Sequence, residues 1–214
     1  MRKKFPYVKF IDEERVYIEE GVIIEKDVII FPDNYICGNS IIKKGAVLLP
    51  ENIIESSQIG ENAKIEKSVI RQAKVGANTT VGPFAHLRKG TNIGDNCRIG
   101  DFVEIKNSQI SSGTKISHLA YVGDAQIGKN CNIGCGGVFC HYDGNNKNQT
   151  IVGDYCFIGS NANLVAPLTL SNGVFVAAGT TVTKDAQSGD MVIGRARQQV
   201  KEGLAKKYLG VEDE

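Results

Sequence analysis

The sequence predicts an all-β solenoid, a parallel β-helix, and three observations carry that prediction. An aliphatic residue recurs about every six positions through most of the 214 residues. A period of six fits neither the 3.6-residue repeat of an amphipathic helix nor the strict alternation of a long strand. Small and turn-forming residues occupy the intervening positions at fixed offsets, so each hexapeptide supplies one short strand and one turn.

Taken in chain order, residues 1–17 precede the regular repeat and are expected to cap one end. The repeat domain is expected over residues 18–185. Its aliphatic position runs through Ile18, Ile24, Ile30, Ile36, Ile42, Leu48 and Ile54. It continues through Ile59, Ile65, Ile70, Val75, Val81, Leu87, Ile93, Ile99 and Ile105, then Ile110, Ile116, Val122, Ile127 and Ile133. Three units close a triangular coil of about 18 residues with the aliphatic side chains inside, and stacked coils pair their backbones at about 4.8 Å. No coil can bury its face alone, so the stack stabilises itself cooperatively. Between Ile133 and Val152 the period yields to a polar run containing Asp143-Gly144, and a protruding loop is expected over residues 139–151. The repeat resumes at Val152, Ile158, Leu164, Leu170, Val176 and Val182. Residues 186–214 read as a basic, partly helical tail.

Composition narrows the function classes. Lys plus Arg number 25 against 24 for Asp plus Glu, a net charge of +1, which argues against a bulk electrostatic nucleic-acid binder. No apolar run approaches the roughly 20 residues that cross a bilayer. The basic start, Met1-Arg2-Lys3-Lys4, has no apolar stretch behind it and so is not a secretory signal. A soluble cytoplasmic protein with neither nucleic-acid nor membrane partners is expected. Of the six cysteines, Cys97, Cys131 and Cys156 each stand four residues after an aliphatic position, where a small buried residue is wanted. The run Cys131, Cys135, Cys140, His141 has no strong zinc spacing, and no metal site is expected.

The chemistry-bearing residues follow from the coil register. Arg88 and Lys106 each follow an aliphatic position by one and lie 18 residues apart, so they are expected on one face in adjacent coils. Like charges in that arrangement are either splayed into solvent or held by an anion. A planar fork beside a point charge suits a phosphate. Tyr121 precedes Val122, which begins the same face one coil further on, and brings a sugar-stacking group nearby. There are three histidines, His86, His118 and His141. His118 is expected beside the Arg88/Lys106 region and His141 in the loop, and either could act as a general base.

From Val81-Gly-Pro-Phe-Ala-His-Leu-Arg-Lys-Gly90 to Asp185 the chain resembles the acetyltransferase half of the bifunctional N-acetylglucosamine-1-phosphate uridyltransferase/glucosamine-1-phosphate acetyltransferases. The matching stretches include Phe102-Val-Glu-Ile-Lys106, His118-Leu-Ala-Tyr-Val-Gly-Asp-Ala125, Tyr142-Asp-Gly-Asn-Asn-Lys147, Leu164-Val-Ala-Pro167 and Ile193-Gly-Arg195. His118-x-x-Tyr121 together with the Tyr142-Asp143-Gly144 loop is the specific part. Many acyltransferases share the hexapeptide units. The resemblance implies a left-handed β-helix and acetylation of glucosamine 1-phosphate with acetyl-CoA as cosubstrate, in UDP-N-acetylglucosamine and cell-wall synthesis. It implies His118 as the base that deprotonates the sugar amine, with Arg88 and Lys106 toward the sugar phosphate, Tyr121 and Asn132 on the sugar, and Lys147 as a substrate-binding lysine of the loop. Cys135, His141, Tyr142, Ser160, Ala178 and Arg195 fall on acetyl-CoA positions. Asn132 stands in a turn-favoured place before Ile133 and at a different corner from Tyr121, so a homotrimer with sites between subunits is expected. The Gly-rich nucleotide-binding opening of the family does not occur, so a separate uridyltransferase partner is expected.

The departures concentrate in the loop. The family's usual Gly-Thr-Ile-Thr-Cys-Asn-Tyr-Asp-Gly is here Gly136-Gly-Val-Phe-Cys-His-Tyr-Asp-Gly144. His141 thus replaces an Asn and Cys135 an Ala, which bears on acyl and acceptor selectivity. Leu204 stands where a tail Trp is common. Two other readings stay open: an acyltransferase for another amino sugar or sugar nucleotide, and a non-catalytic solenoid that binds a sugar phosphate.

Overall fold

A computed structural model describes residues 4–210. The chain winds into a three-sided prism in which every third strand belongs to the same sheet. Among the described residues, face A has 11 strands, from Lys9–Phe10 to Met191–Val192. Face B has 10, from Val16–Ile18 to Thr181–Val182, and face C has 9, from Ile23–Ile24 to Leu168–Leu170. All these ladders are parallel and aliphatic positions pair with one another, as in Leu87↔Ile105, Ile105↔Val122, Ile99↔Ile116 and Ile93↔Ile110.

Their side chains fill the prism. Ile30, Ile36, Leu48, Ile65, Leu87, Ile99, Ile105 and Val122 are wholly buried, whereas Ile18 and Ile24 at the N-terminal end are half-buried. Each buried aliphatic side chain contributes about 1.5–3 kcal/mol of transfer free energy. Cys97, Cys131 and Cys156 are buried where the wall bends, alongside Ala, Ser, Thr and Asn in equivalent places. The polar members of this set complete the backbone's hydrogen bonding. Asn52 donates to the Asn34 side chain at 2.9 Å and accepts from the Ser68 N–H at 3.0 Å. The hydroxyls of Thr79 and Thr114 accept from the N–H groups of Cys97 and Cys131, both at 3.0 Å.

Strand pairing reaches past the expected repeat limits at both ends. Lys9–Phe10 and Val16–Ile18 already lie in sheets within residues 1–17, and Met191–Val192 pairs with Phe175–Val176 inside the expected tail. Among the described residues of that tail only Leu204–Leu209 is helical. Residues 1–3 of the expected cap and 211–214 of the tail lie outside the described residues. The loop is also narrower than 139–151. Phe139 is fully buried in the aliphatic position, its strand Val138–Cys140 pairs on both sides, and Thr150–Val152 is again a strand. An aromatic ring fills the space the aliphatic pattern reserves, so the departure from the coil spans only residues 141–149. No helix among the described residues is long and apolar enough to cross a membrane.

Candidate active site

Face B carries chemistry at both of its corners. At the corner toward face C, the position after each aliphatic residue forms a column of Arg71, Arg88, Lys106 and Gly123, fixed by the pairings that put Leu87 over Ile105 and Lys106 over Gly123. A cavity of about 380 Å³ opens there, lined by Arg88, Lys89, Lys106, Asn107, Asp124 and Lys147. The stacked bases are relieved by the protein's own carboxylates, an arrangement the sequence reading left out. Arg88 Nη1 lies 2.7 Å from Glu104 Oε1, and Lys106 Nζ lies 3.9 Å from Asp124 Oδ2. The neighbouring Lys147 and then burial hold the Lys106 ammonium below the ordinary lysine value, against the opposing pull of Asp124. Such a cluster gains free energy when an anion enters it.

The loop delivers Lys147. Asp143 accepts from the backbone N–H groups of Asn145 and Asn146 at 2.9 and 2.7 Å and from the Asn148 side chain at 3.0 Å. Those donors hold its carboxyl below the usual carboxylate range. Gly144, at φ 101°, makes the reversal that a Cβ would strain. Tyr142 pairs across the loop with Lys147, and the Tyr142 hydroxyl donates to the Gly144 carbonyl at 2.6 Å.

His141 begins the loop but turns inward. It is buried, with Nδ1 at 2.7 Å from Asp124 Oδ2 and Nε2 at 3.0 Å from the Tyr121 hydroxyl. The first contact is an ion-pair distance without a well-aligned hydrogen bond. Asn107 Nδ2 donates to the other oxygen of Asp124. Gly123 leaves the space the imidazole occupies, since a Cβ there would come within 2.8 Å of both His141 Cδ2 and the Tyr121 hydroxyl oxygen.

At the corner toward face A stands a second histidine–carboxylate pair. Asp101 and His118 are cross-strand partners, and His118 Nδ1 meets Asp101 Oδ1 at 2.5 Å. This pair is open to solvent, with His118 side-chain exposure at 52%. The hydrogen bond from His118 holds the Asp101 carboxyl below its ordinary value. The registers Ile116↔Ile133, Ile133↔Ile158 and Ile158↔Val176 put Cys135, Ser160 and Ala178 in a column below His118. Gly194 follows in that register, and the guanidinium of the adjoining Arg195 donates to the Ala178 carbonyl at 2.9 Å. Beside it the exposed side chains of Phe84, Phe102 and Leu119 form an apolar ridge, with the two phenyl rings stacked at 5.1 Å.

Two expectations about placement change. His118 does not sit beside Arg88 and Lys106; it stands at the opposite end of face B, with Tyr121 on the face between them. Asn132 lies in the strand Asn132–Ile133 rather than in a turn, on face A, where it pairs with Lys115 and Phe157. One chain therefore does not bring Asn132 and Tyr121 to the same ligand. Sequence reasoning missed Asp101, Glu104, Asn107 and Asp124. Asp101 stands 17 residues before His118, one shortened coil, so the repeat spacing contained that signal. Asp124 reads as an ordinary turn residue, and its burial follows from the loop folding back.

Comparison with known proteins adds the lineage. The description "bacterial transferase hexapeptide (six repeats)" matches residues 72–107, and "hexapeptide repeat of succinyl-transferase" matches residues 149–184. The chain is 51% identical over 203 residues to the bifunctional protein GlmU of Clostridium novyi, covering 94% of this chain and 44% of that protein. It is 46% identical over 207 residues to GlmU of Clostridioides difficile, covering 97% of this chain and 45% of the relative. The chain thus spans less than half the length of these curated relatives. Among solved structures, the Francisella novicida UDP-N-acetylglucosamine acyltransferase is similar with a TM-score of 0.50 at 18% identity, over 85% of this chain and 66% of that one. That likeness concerns the fold alone.

Proposed function

The chain belongs to the hexapeptide-repeat transferases as a relative of bifunctional GlmU, and from that premise we propose that it N-acetylates glucosamine 1-phosphate with acetyl-CoA, in the cytoplasm. The observation that carries this reading is the pairing of a cationic cavity at one corner of face B with a solvent-open histidine–carboxylate pair at the other.

The phosphate enters the cavity of Arg88, Lys106 and Lys147, which supplies charge-assisted hydrogen bonds. From residue 118 to residue 123 the backbone spans at most about 16 Å, which bounds the gap between the two corners. Tyr121 holds the sugar across that gap. Asp101 accepts the Nδ1–H of His118, which leaves the Nε2 lone pair free to take a proton from the sugar amine. The neutral amine nitrogen attacks the thioester carbonyl carbon of acetyl-CoA as His118 takes that proton, and the tetrahedral intermediate collapses with cleavage of the carbon–sulfur bond. The CoA thiolate leaves and receives a proton from the His118 imidazolium. Acetyl-CoA lies along the column of Cys135, Ser160 and Ala178, with Tyr142 near its reacting end and Arg195 facing its phosphates.

The site needs a neighbour. Asn132 on face A reaches only a ligand held by another prism, and the Phe84–Phe102–Leu119 ridge beside His118 offers an apolar surface for that contact. A homotrimer with sites between subunits satisfies both. The test is incubation with glucosamine 1-phosphate and acetyl-CoA, reading N-acetylated product by mass spectrometry. Product is expected, with a loss of about 100-fold or more in His118→Ala. An unchanged rate in that variant removes the assignment of the base. Binding of acetyl-CoA without product points to a different amino sugar as acceptor.

A further inference from the structure

The function just proposed uses His118 and leaves a second histidine unexplained. His141 is buried, and neither of its ring nitrogens is directed at solvent. Its surroundings define its hydrogen-bonding state. Asp124 approaches Nδ1 at 2.7 Å and itself accepts from Asn107. A carboxylate oxygen can only accept, so the tautomer favoured at this separation carries hydrogen on Nδ1 and a lone pair on Nε2. At Nε2, 3.0 Å away, is the Tyr121 hydroxyl. Burial and then the Glu104 charge push the Tyr121 phenol above its ordinary value, so it remains protonated and donates to Nε2.

A hydroxyl that has given its one hydrogen to the protein can only accept from a ligand. We propose that His141 is a positioning residue that fixes Tyr121 as a hydrogen-bond acceptor, so that the site selects a sugar bearing a donor, an ammonium or a hydroxyl, opposite Tyr121. An amide at position 141 can instead present its N–H₂ to the Tyr121 oxygen and free the phenolic hydrogen for the ligand. His141→Asn would thus reverse the polarity of Tyr121. Gly123 is part of the device, because any larger residue would collide with the imidazole and the phenol together. The assignment differs from that implied by the resemblance, which puts His141 on acetyl-CoA.

The proposal rests on the acetyltransferase reading for its ligand but not for its hydrogen-bond state, and the test separates the two. Long-range ¹H–¹⁵N spectra of the full chain at about pH 8, where an ordinary histidine is neutral, report the tautomer of His141. Its signal is identified by its loss in His141→Asn. A protonated Nδ1 with a bare Nε2 is expected, and the opposite tautomer overturns the proposal. In steady-state kinetics, His141→Asn is expected to raise KM for glucosamine 1-phosphate about five- to tenfold, with KM for acetyl-CoA unchanged. A rise confined to the acetyl-CoA KM overturns it and returns His141 to the cosubstrate. Gly123→Ala, which displaces the imidazole, should produce the same rise, and the double variant should lose no more than either alone. If the wild-type chain makes no product, the enzymatic reading fails, and the nitrogen shifts still decide the state of Tyr121.

Discussion

The two corners of face B hold the same chemical pair in opposite circumstances. His118–Asp101 is exposed and held by one hydrogen bond, leaving the second imidazole nitrogen open. His141–Asp124 is enclosed: Nε2 meets the Tyr121 hydroxyl, one carboxylate oxygen accepts from Asn107, and Nδ1 faces the other at 2.7 Å. An imidazole that must take up and release a proton needs a free nitrogen and access to the reacting group. One that must hold a neighbour in a single orientation needs the reverse. Burial, rather than the identity of the residues, separates the two roles.

The widest separation between the corners should appear in stability. In Asp124→Asn one oxygen becomes an N–H₂, and the donors of His141 and Asn107 cannot both be satisfied. Leaving one buried donor unpaired costs about 2 kcal/mol, equivalent to a fall in Tm of about 5 °C for a chain of this size. Calorimetry or thermal circular dichroism reads this, and Asp101→Asn should lower Tm by less, because its pair is exposed and water replaces most of the lost contact. Equal falls for the two variants would break the comparison.

Catalysis should reverse that order. Asp101→Asn removes the acceptor that orients His118 and should lower kcat about tenfold, with KM for glucosamine 1-phosphate little changed. A fall in kcat from Asp124→Asn larger than that from Asp101→Asn would move the base to the buried corner. The Asp101 carboxyl is held below its unfolded value by His118, so its contribution to stability is fully present above about pH 4. That contribution is lost as pH falls through the depressed folded value, and urea denaturation across that range in wild type and Asp101→Asn measures it.

The smallest effect concerns phosphate. The folded pKa of Lys106 lies below the ordinary lysine value because of Lys147 and burial. Its ammonium is thus disfavoured in the free protein and restored when an anion binds. Affinity for glucosamine 1-phosphate should be full below the depressed pKa and fall a few-fold as pH rises through it toward about 10.4. Isothermal titration calorimetry at several alkaline pH values reads this, and Lys106→Arg, which stays charged, should remove the dependence. A dependence that persists in Lys106→Arg would remove Lys106 as its source.

Much of this molecule is legible in a line of residues because a solenoid is nearly one-dimensional. With aliphatic positions six apart and three to a coil, residues 17 or 18 apart become neighbours. Arg88 over Lys106 and the burial of Cys97, Cys131 and Cys156 follow from counting alone. The same counting could have found Asp101 beside His118. It failed at Phe139, where an aromatic residue took the aliphatic position and widened the expected loop.

The sequence by itself determined the strands, the register, the break in the coil and the residues that share a column, because each coil meets only its neighbours. Tertiary structure decided what happens where that rule lapses. Residues 141–149 leave the coil, and the direction in which they fold back sets the burial of His141 and the partners of Asp124. It also brings Lys147 into the cavity beside Lys106. Those contacts join parts of the chain that share no repeat position, so packing and the need to satisfy buried polar groups decide them.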